Sequence, residues 1–215
     1  SLRKNILDAN VEMFHTYNIA PPISEEFVPV DLDVTPMDNS KTHKEGVSYT
    51  YKGFFGYAPM MAYIGAEGFL VNTELREGSQ HCQCNTPAFL SETLNYSHQL
   101  TKKQLLVRMD SGNLGILIED GSWFIVKRNL RRGESKQKWL DKAKECCKDI
   151  RHPRDGKTVY VGSSWKDVNY TDFEGNSKTI TMRIVYEVIE RTMDKNGQFL
   201  ILPDIECNTF WTNLD

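Results

Sequence analysis

The chain has 215 residues, 40% of them hydrophobic and 26% charged, with a formal net charge of −3. This is ordinary for a soluble globular chain, enough for one large domain or a domain with an insertion, and no stretch is long and apolar enough to cross a membrane. The total charge gives no global sign of nucleic-acid binding, but it hides an asymmetry: residues 127–157 hold 12 Lys/Arg against 5 Asp/Glu, and the remainder is acidic.

The first element is a helix. Leu2, Ile6, Leu7, Val11 and Phe14 fall at helical spacing, and Ala20-Pro21-Pro22 stops the run. A helix that begins at residue 2 with no initiator Met suggests a piece of something longer. Phe27 to Thr35 then reads as a mostly buried strand, and it carries Asp31 and Asp33. Residues two apart on a strand project from the same face, and burying a carboxylate is costly unless it is paired or bound to a cation. The simpler alternative leaves one acid in water at the strand end and the other capping the turn at Pro36.

Residues 36–48 are polar and read as a loop. The aromatic, β-prone run from Tyr49 to Ile64 follows, with Gly53 and Gly56 as bulges or points of close approach. A third strand covers Phe69 to Arg76. Three strands joined by short turns imply an antiparallel meander. Thr86-Pro87 opens a helix with Phe89, Leu90, Thr93, Leu94, Ser97 and Leu100 along one side. Leu105 to Asp110 is a short, nearly continuous apolar strand, closed by Asp110-Ser111-Gly112. A short helix follows with Leu114, Leu117 and Ile118, and then a fifth strand from Ser122 to Arg128. Ser135 caps a basic helix with Trp139, Ala143, Cys146, Cys147 and Ile150 on its inner side. After Pro153 the texture turns to strands, at Thr158 to Val161, Ile180 to Glu190, Phe199 to Leu202 and Asn208 to Thr212.

Three segments result: a helical one at 1–26, a core at 27–152 and a β-rich section at 153–215. The five cysteines, Cys82, Cys84, Cys146, Cys147 and Cys207, are odd in number and follow no signal peptide. That points to reduced thiols in a cytoplasmic protein rather than a disulfide framework. His81-Cys82-Gln83-Cys84 invites a zinc reading, but no second pair follows at a fitting distance.

The element order has a consequence. A meander followed by a helical crossover sets the fourth strand beside the first, as in an α/β, ribonuclease H-like mixed sheet flanked by helices. Asp33 and Asp110 must then be neighbours despite 77 residues between them. Two carboxylates at such a junction suit Mg²⁺ or Mn²⁺, hard cations that take oxygen ligands. Two such ions roughly 3.5–4 Å apart can clamp the attacking and leaving oxygens of a phosphodiester displacement. Taken alone, Asp110 reads as a turn residue in Asp-Ser-Gly; taken with Asp33 and this order of elements, it reads as a ligand.

The blocks Asp31-Leu-Asp-Val-Thr35, Tyr57-Ala-Pro59, Glu74-Leu-Arg76-Glu-Gly78-Ser79 and Arg108-Met-Asp-Ser-Gly112 resemble the catalytic core of bacterial insertion-sequence transposases of the DDE class. The resemblance is to the cut-and-paste branch, whose ribonuclease H-like core carries a β-rich insertion, and it runs from about residue 27 to the C-terminus. It implies Asp33 and Asp110 as metal ligands and catalytic residues, with Asp31 competing for the first place. It implies hydrolysis and strand transfer at transposon ends, and a homodimer on paired ends. It also requires a third acid, a Glu on a helix after the insertion. No residue here matches that Glu, so an inactive central fragment is expected.

Lys127, Arg128, Arg131, Arg132, Lys136 and Lys138 are candidates for DNA phosphate contacts, against a simple solvated basic face. Trp165, Tyr170 and Trp211 could stack on bases or pack the β-rich section. Two other readings remain open. A non-transposing ribonuclease H-like nuclease or resolvase would need further acids near Asp33 and Asp110, such as Glu74 or Asp38. A non-catalytic nucleic-acid-binding domain would not need Asp33.

Overall fold

The computed structural model describes residues 1–19, 26–81, 84–110 and 114–215. The helix stop at Pro21-Pro22, Cys82 and the turn residues Ser111 and Gly112 lie outside these. The protein is mixed α/β, with strand-rich sheet flanked by helices. Two compact units divide it: residues 1–124 with 171–176, and residues 125–170 with 177–215. No helix among the described residues is long and apolar enough to cross a membrane.

The first unit begins with α1 (Leu2–Thr16), whose capping Ser1 side chain accepts from the Lys4 N–H. Only Leu7, Val11 and Phe14 of its apolar positions are buried; Leu2 and Ile6 are exposed. Phe14 meets Phe69 edge-on at 5.3 Å between ring centroids. Strand β1 (Phe27–Val34) alternates buried Val28, Val30 and Leu32 with less buried neighbours. The polar stretch expected as loop contributes two short strands, β2 (Met37–Asp38) and β3 (Ser48–Tyr49), which flank β4 (Phe55–Tyr57) in a small sheet. Backbone pairing to β4 recruits them despite their polarity.

The expected meander is present. Strand β5 (Met60–Ile64) pairs antiparallel with β1, and β6 (Phe69–Glu74) pairs antiparallel with β5. Helix α2 (Thr86–Leu100) buries Phe89, Leu90, Thr93, Leu94 and Ser97, the predicted side, and packs against β6 and α1. The crossover delivers β7 (Gln104–Asp110) to the free side of β1, in parallel register. The strand order is therefore β6-β5-β1-β7. Helix α3 (Leu114–Asp120) follows and packs on α2.

A buried polar knot fixes α2 to β6. Asn72 donates to Thr93 Oγ1 at 3.0 Å, and Arg3 donates to Asn72 Oδ1 at 2.8 Å. Each member is satisfied, which is what makes the fully buried amide tolerable.

In the second unit the order is β8-β12-β11-β10-β9. These strands are β8 (Trp123–Arg128), β9 (Asp149–Arg154), β10 (Lys157–Thr171), β11 (Ser177–Met193) and β12 (Phe199–Thr212). Helix α4 (Lys136–Cys146) lies on β11 and β12 and buries Trp139, Leu140 and Ala143. The expected inner side was too long. Cys146 is exposed, Cys147 is already extended, and Ile150 belongs to β9. Pro153 disfavours helix in the residue before it, and pairing with β10 draws 149–154 into a hairpin.

The Leu75 to Ser79 block has a structural explanation. Arg76 is buried, bonds Glu74 through Nε at 2.7 Å, and stands over the Phe89 ring at 5.8 Å. A side chain at Gly78 would collide with the carbonyl oxygens of Ser48 and Gly56. The Ser79 N–H donates to Ser48 Oγ at 2.8 Å. Gly56 is a true close approach, since a Cβ there would strike the Met37 carbonyl. Gly78→Ala should therefore destabilise the protein by about 1–3 kcal/mol in urea titration, while Ser79→Ala, which keeps its backbone donor, should stay within about 0.5 kcal/mol.

Candidate catalytic face and basic cleft

Strands β1 and β7 run parallel with Asp31 opposite Arg108 and Leu32 opposite Met109. Asp33 and Asp110 are the next residue of each strand. Side chains opposite one another in a parallel pair share a face, so both carboxylates project from one side at the carboxyl ends of adjacent strands. Both are exposed. The opposite side is apolar and closed, with Val30, Leu32, Val107 and Met109 buried. Ligand-binding crevices in open α/β sheets lie at such carboxyl ends.

The neighbourhood is polar on this face. Arg108 donates to both Asp31 oxygens, Nε to Oδ1 at 2.6 Å and Nη2 to Oδ2 at 2.5 Å. That hydrogen bond raises the Arg108 pKa above its usual value. Asp33 Oδ1 accepts the Val34 N–H at 2.8 Å. The Tyr63 hydroxyl donates to Met61 Sδ at 3.0 Å, and these two residues stand opposite Asp31 and Asp33 on the β5 side.

Asp33 and Asp110 are both exposed carboxylates, the kind of oxygen donor that a hard divalent cation takes. Among the described residues no group of three or more His, Cys, Asp or Glu comes together to hold a metal. The two further acids worth inspecting are engaged elsewhere. Glu74 pairs with Arg76, and Asp38 accepts the Ser40 N–H at 2.8 Å. His81 and Cys84 are exposed, and their partner in the zinc reading, Cys82, is outside the described residues. His98 bonds Asp120 at 3.1 Å.

The basic residues of the second unit divide in two. Arg131, Arg132, Lys136 and Lys138 are exposed and Lys127 half-buried. Arg128 is not on that surface: it is only 7% exposed, and Nη2 donates to the Glu134 oxygens at 2.6 and 2.7 Å. Its guanidinium lies 5.5 Å from the Trp211 ring centroid. Its Nε and Nη1 have no hydrogen-bond partner among the described residues. The indole face offsets part of that loss. Trp211 is thus a packing residue, 5% exposed.

Trp165 is different, at 63% exposed. It borders a cavity of about 280 Å³ with Lys138, Trp139, Lys142, Ser164 and Lys166. Lys142 donates to Ser164 Oγ at 3.1 Å and stands over Trp139. Lys142, Ser164 and Lys166 were not anticipated as a group. Lys142 lies one helical turn beyond Lys138, a spacing visible in the sequence, but the strand that brings Ser164 and Lys166 is remote. Cys207 nearby has its thiol pushed up to about 11 by burial, with Glu134 adding to the effect.

No family model, curated protein or solved structure matches the chain.

The Arg128–Glu134 pair carries two expectations. Arg128→Ala strands a partly buried carboxylate and should cost about 3–5 kcal/mol in chemical denaturation. Burial alone would raise the Glu134 pKa, but hydrogen bonds from Arg128 and the Arg131 N–H, with the nearby charges, outweigh it and hold the carboxyl below its usual range. A depressed folded pKa means the stabilisation is complete above the unfolded value, about 4.3, and is lost as pH falls through the folded value. Stability measured from pH 6 down to pH 3 should fall less steeply in Glu134→Gln than in the parent chain.

Proposed function

We propose that the protein is part of a DNA transposase of the DDE class, with a ribonuclease H-like core whose Asp33 and Asp110 hold divalent cations for phosphodiester chemistry. The observation that supports this reading is the parallel register of β1 and β7, whose last paired residues, Leu32 and Met109, come just before Asp33 and Asp110 on the two strands. The order β6-β5-β1-β7, a meander with the fourth strand added next to the first, supports the ribonuclease H-like assignment.

The residues divide the work as follows. Asp33 and Asp110 would hold Mg²⁺ or Mn²⁺, which when bound activates the attacking oxygen and stabilises the leaving one. The exposed Arg131, Arg132, Lys136 and Lys138, with the half-buried Lys127, supply phosphate contacts, and Trp165 offers an exposed ring for a base. No third acid joins Asp33 and Asp110 among the described residues. Residues 1–215 alone are therefore expected to bind DNA and cation without cutting. Nothing observed favours the nuclease reading, since Glu74 and Asp38 are committed elsewhere. The homodimer on paired ends belongs to the same proposal.

DNA binding followed by fluorescence anisotropy across a salt series tests the reading. Arg131→Ala with Arg132→Ala should weaken binding and reduce the salt slope by about 2. Trp165→Ala should weaken single-strand binding by about 1–3 kcal/mol. Asp33→Asn should leave Mg²⁺-free binding no weaker. A parent chain whose binding ignores salt would defeat the DNA reading. Efficient Mg²⁺-dependent cutting by residues 1–215 would defeat the two-carboxylate account.

A further inference from the structure

The cavity of the second unit is walled by α4 and β10, and three lysines line it. Lys138 and Lys142 are four apart on α4, and Ser164 and Lys166 two apart on β10, so each pair shares a side of its element. Each ammonium is tied to another group of the same wall. Lys138 Nζ donates to the Gly133 carbonyl at 3.5 Å, and Lys142 Nζ to Ser164 Oγ at 3.1 Å. Lys166 Nζ stands 3.9 Å from Glu134 Oε1. Lys142 is also held over the Trp139 and Tyr186 rings, 5.3 and 5.6 Å from their centroids. A cation fixed in this way loses little freedom when an anion arrives.

Three lysines against one glutamate leave the wall with an excess of two positive charges. Glu134 does not cancel the lysines, because its oxygens already accept from Arg128 and from the Arg131 N–H. The N-terminal turn of α4 adds a dipole of the same sign. A terminal phosphate matches this set, with a charge of roughly −2 and three free acceptor oxygens, whereas a backbone diester brings one charge. Ser164 Oγ accepts from Lys142, which leaves its proton to donate to a phosphate oxygen. Trp139 and Ile184, both nearly fully buried, supply an apolar wall. The volume of about 280 Å³ is at the low end of small-molecule sites, roughly 300–1,000 Å³. We propose that this cavity binds a small phosphomonoester, with its phosphate on Lys138, Lys142 and Lys166 and its organic body against Trp139 and Ile184. The site needs neither the cation reading of Asp33 and Asp110 nor the DNA reading. A free nucleotide and the phosphorylated end of a strand present the same chemistry to it.

Isothermal titration calorimetry on residues 1–215, with thymidine 5′-monophosphate and phenyl phosphate as probes, tests this. At least one probe should bind, and its unphosphorylated parent, thymidine or phenol, should bind about tenfold more weakly. The methyl ester of the same phosphate, with one charge fewer, should bind about fivefold more weakly. Lys142→Gln and Lys166→Gln should each cost about fivefold, while Lys103→Gln, at an exposed site in the first unit, should change nothing. Should Lys142→Gln lose the folded circular dichroism spectrum, Lys166→Gln decides, since that side chain is 54% exposed. A short oligothymidylate bearing a 5′-phosphate that outcompetes the same strand with a 5′-hydroxyl assigns the site to a strand end. Equal competition by the two strands, with the small probe still bound, assigns it to a free ligand. Failure of both probes to bind, equal binding of the ester, or parent affinity in Lys166→Gln overturns the inference. DNA binding that ignores salt, beside intact probe binding, defeats the DNA reading and leaves this site standing.

Discussion

The hydrogen-bonded ladder between β1 and β7 is the constraint on which the polar face carrying Asp31, Asp33 and Arg108 depends. Parallel pairing has a side-chain period of two, so a slip of one residue would send Asp33 to the closed side of the sheet and Leu32 to the open side. The register is held by burial. Val28, Val30 and Leu32 on β1 and Leu105, Val107 and Met109 on β7 are all within 6% of full burial. Apolar packing on one side thus dictates which polar groups meet on the other. The Asp31–Arg108 fork lies on the same face, two residues before Asp33 and Asp110 along the two strands.

Much of the rest serves to hold that ladder in place. Helix α2 carries the chain from β6 to β7 and is anchored to β6 through the Asn72–Thr93 hydrogen bond and the Arg3 side chain. Arg76 braces the segment between β6 and α2 from inside, through Glu74 and the Phe89 ring. The small sheet is locked by backbone contact at Gly56 and Gly78, where any side chain would collide with a carbonyl. Motif residues that could be taken for chemistry, Arg76 and Gly78 among them, are thereby accounted for by packing.

The second unit uses its charge in two ways that composition cannot separate. Arg128 neutralises Glu134 in a largely buried site against Trp211, and it belongs to the fold. Lys138, Lys142 and Lys166 line an open cavity beside an exposed indole. The same residue types thus serve stability at one site and offer a surface at the other, and what divides them is access to water.

The meander, the crossover and the parallel placing of β7 beside β1 were legible in the sequence, because period-two burial and turn residues are local signals and the order of elements limits how strands can add to a sheet. The inner side of α2 was legible for the same reason. The short strands β2 and β3 were not, because only pairing with β4 makes them strands. The end of α4 at Cys146 was not, because the hairpin of β9 and β10 competes with helix there. Sequence determined which residues could carry charge on the open face of β1. Only the tertiary structure decided that Asp31 is claimed by Arg108 and that Arg128 is withdrawn by Glu134, because an ion pair forms between whichever side chains the sheet register and the loops bring within reach, whatever their distance along the chain.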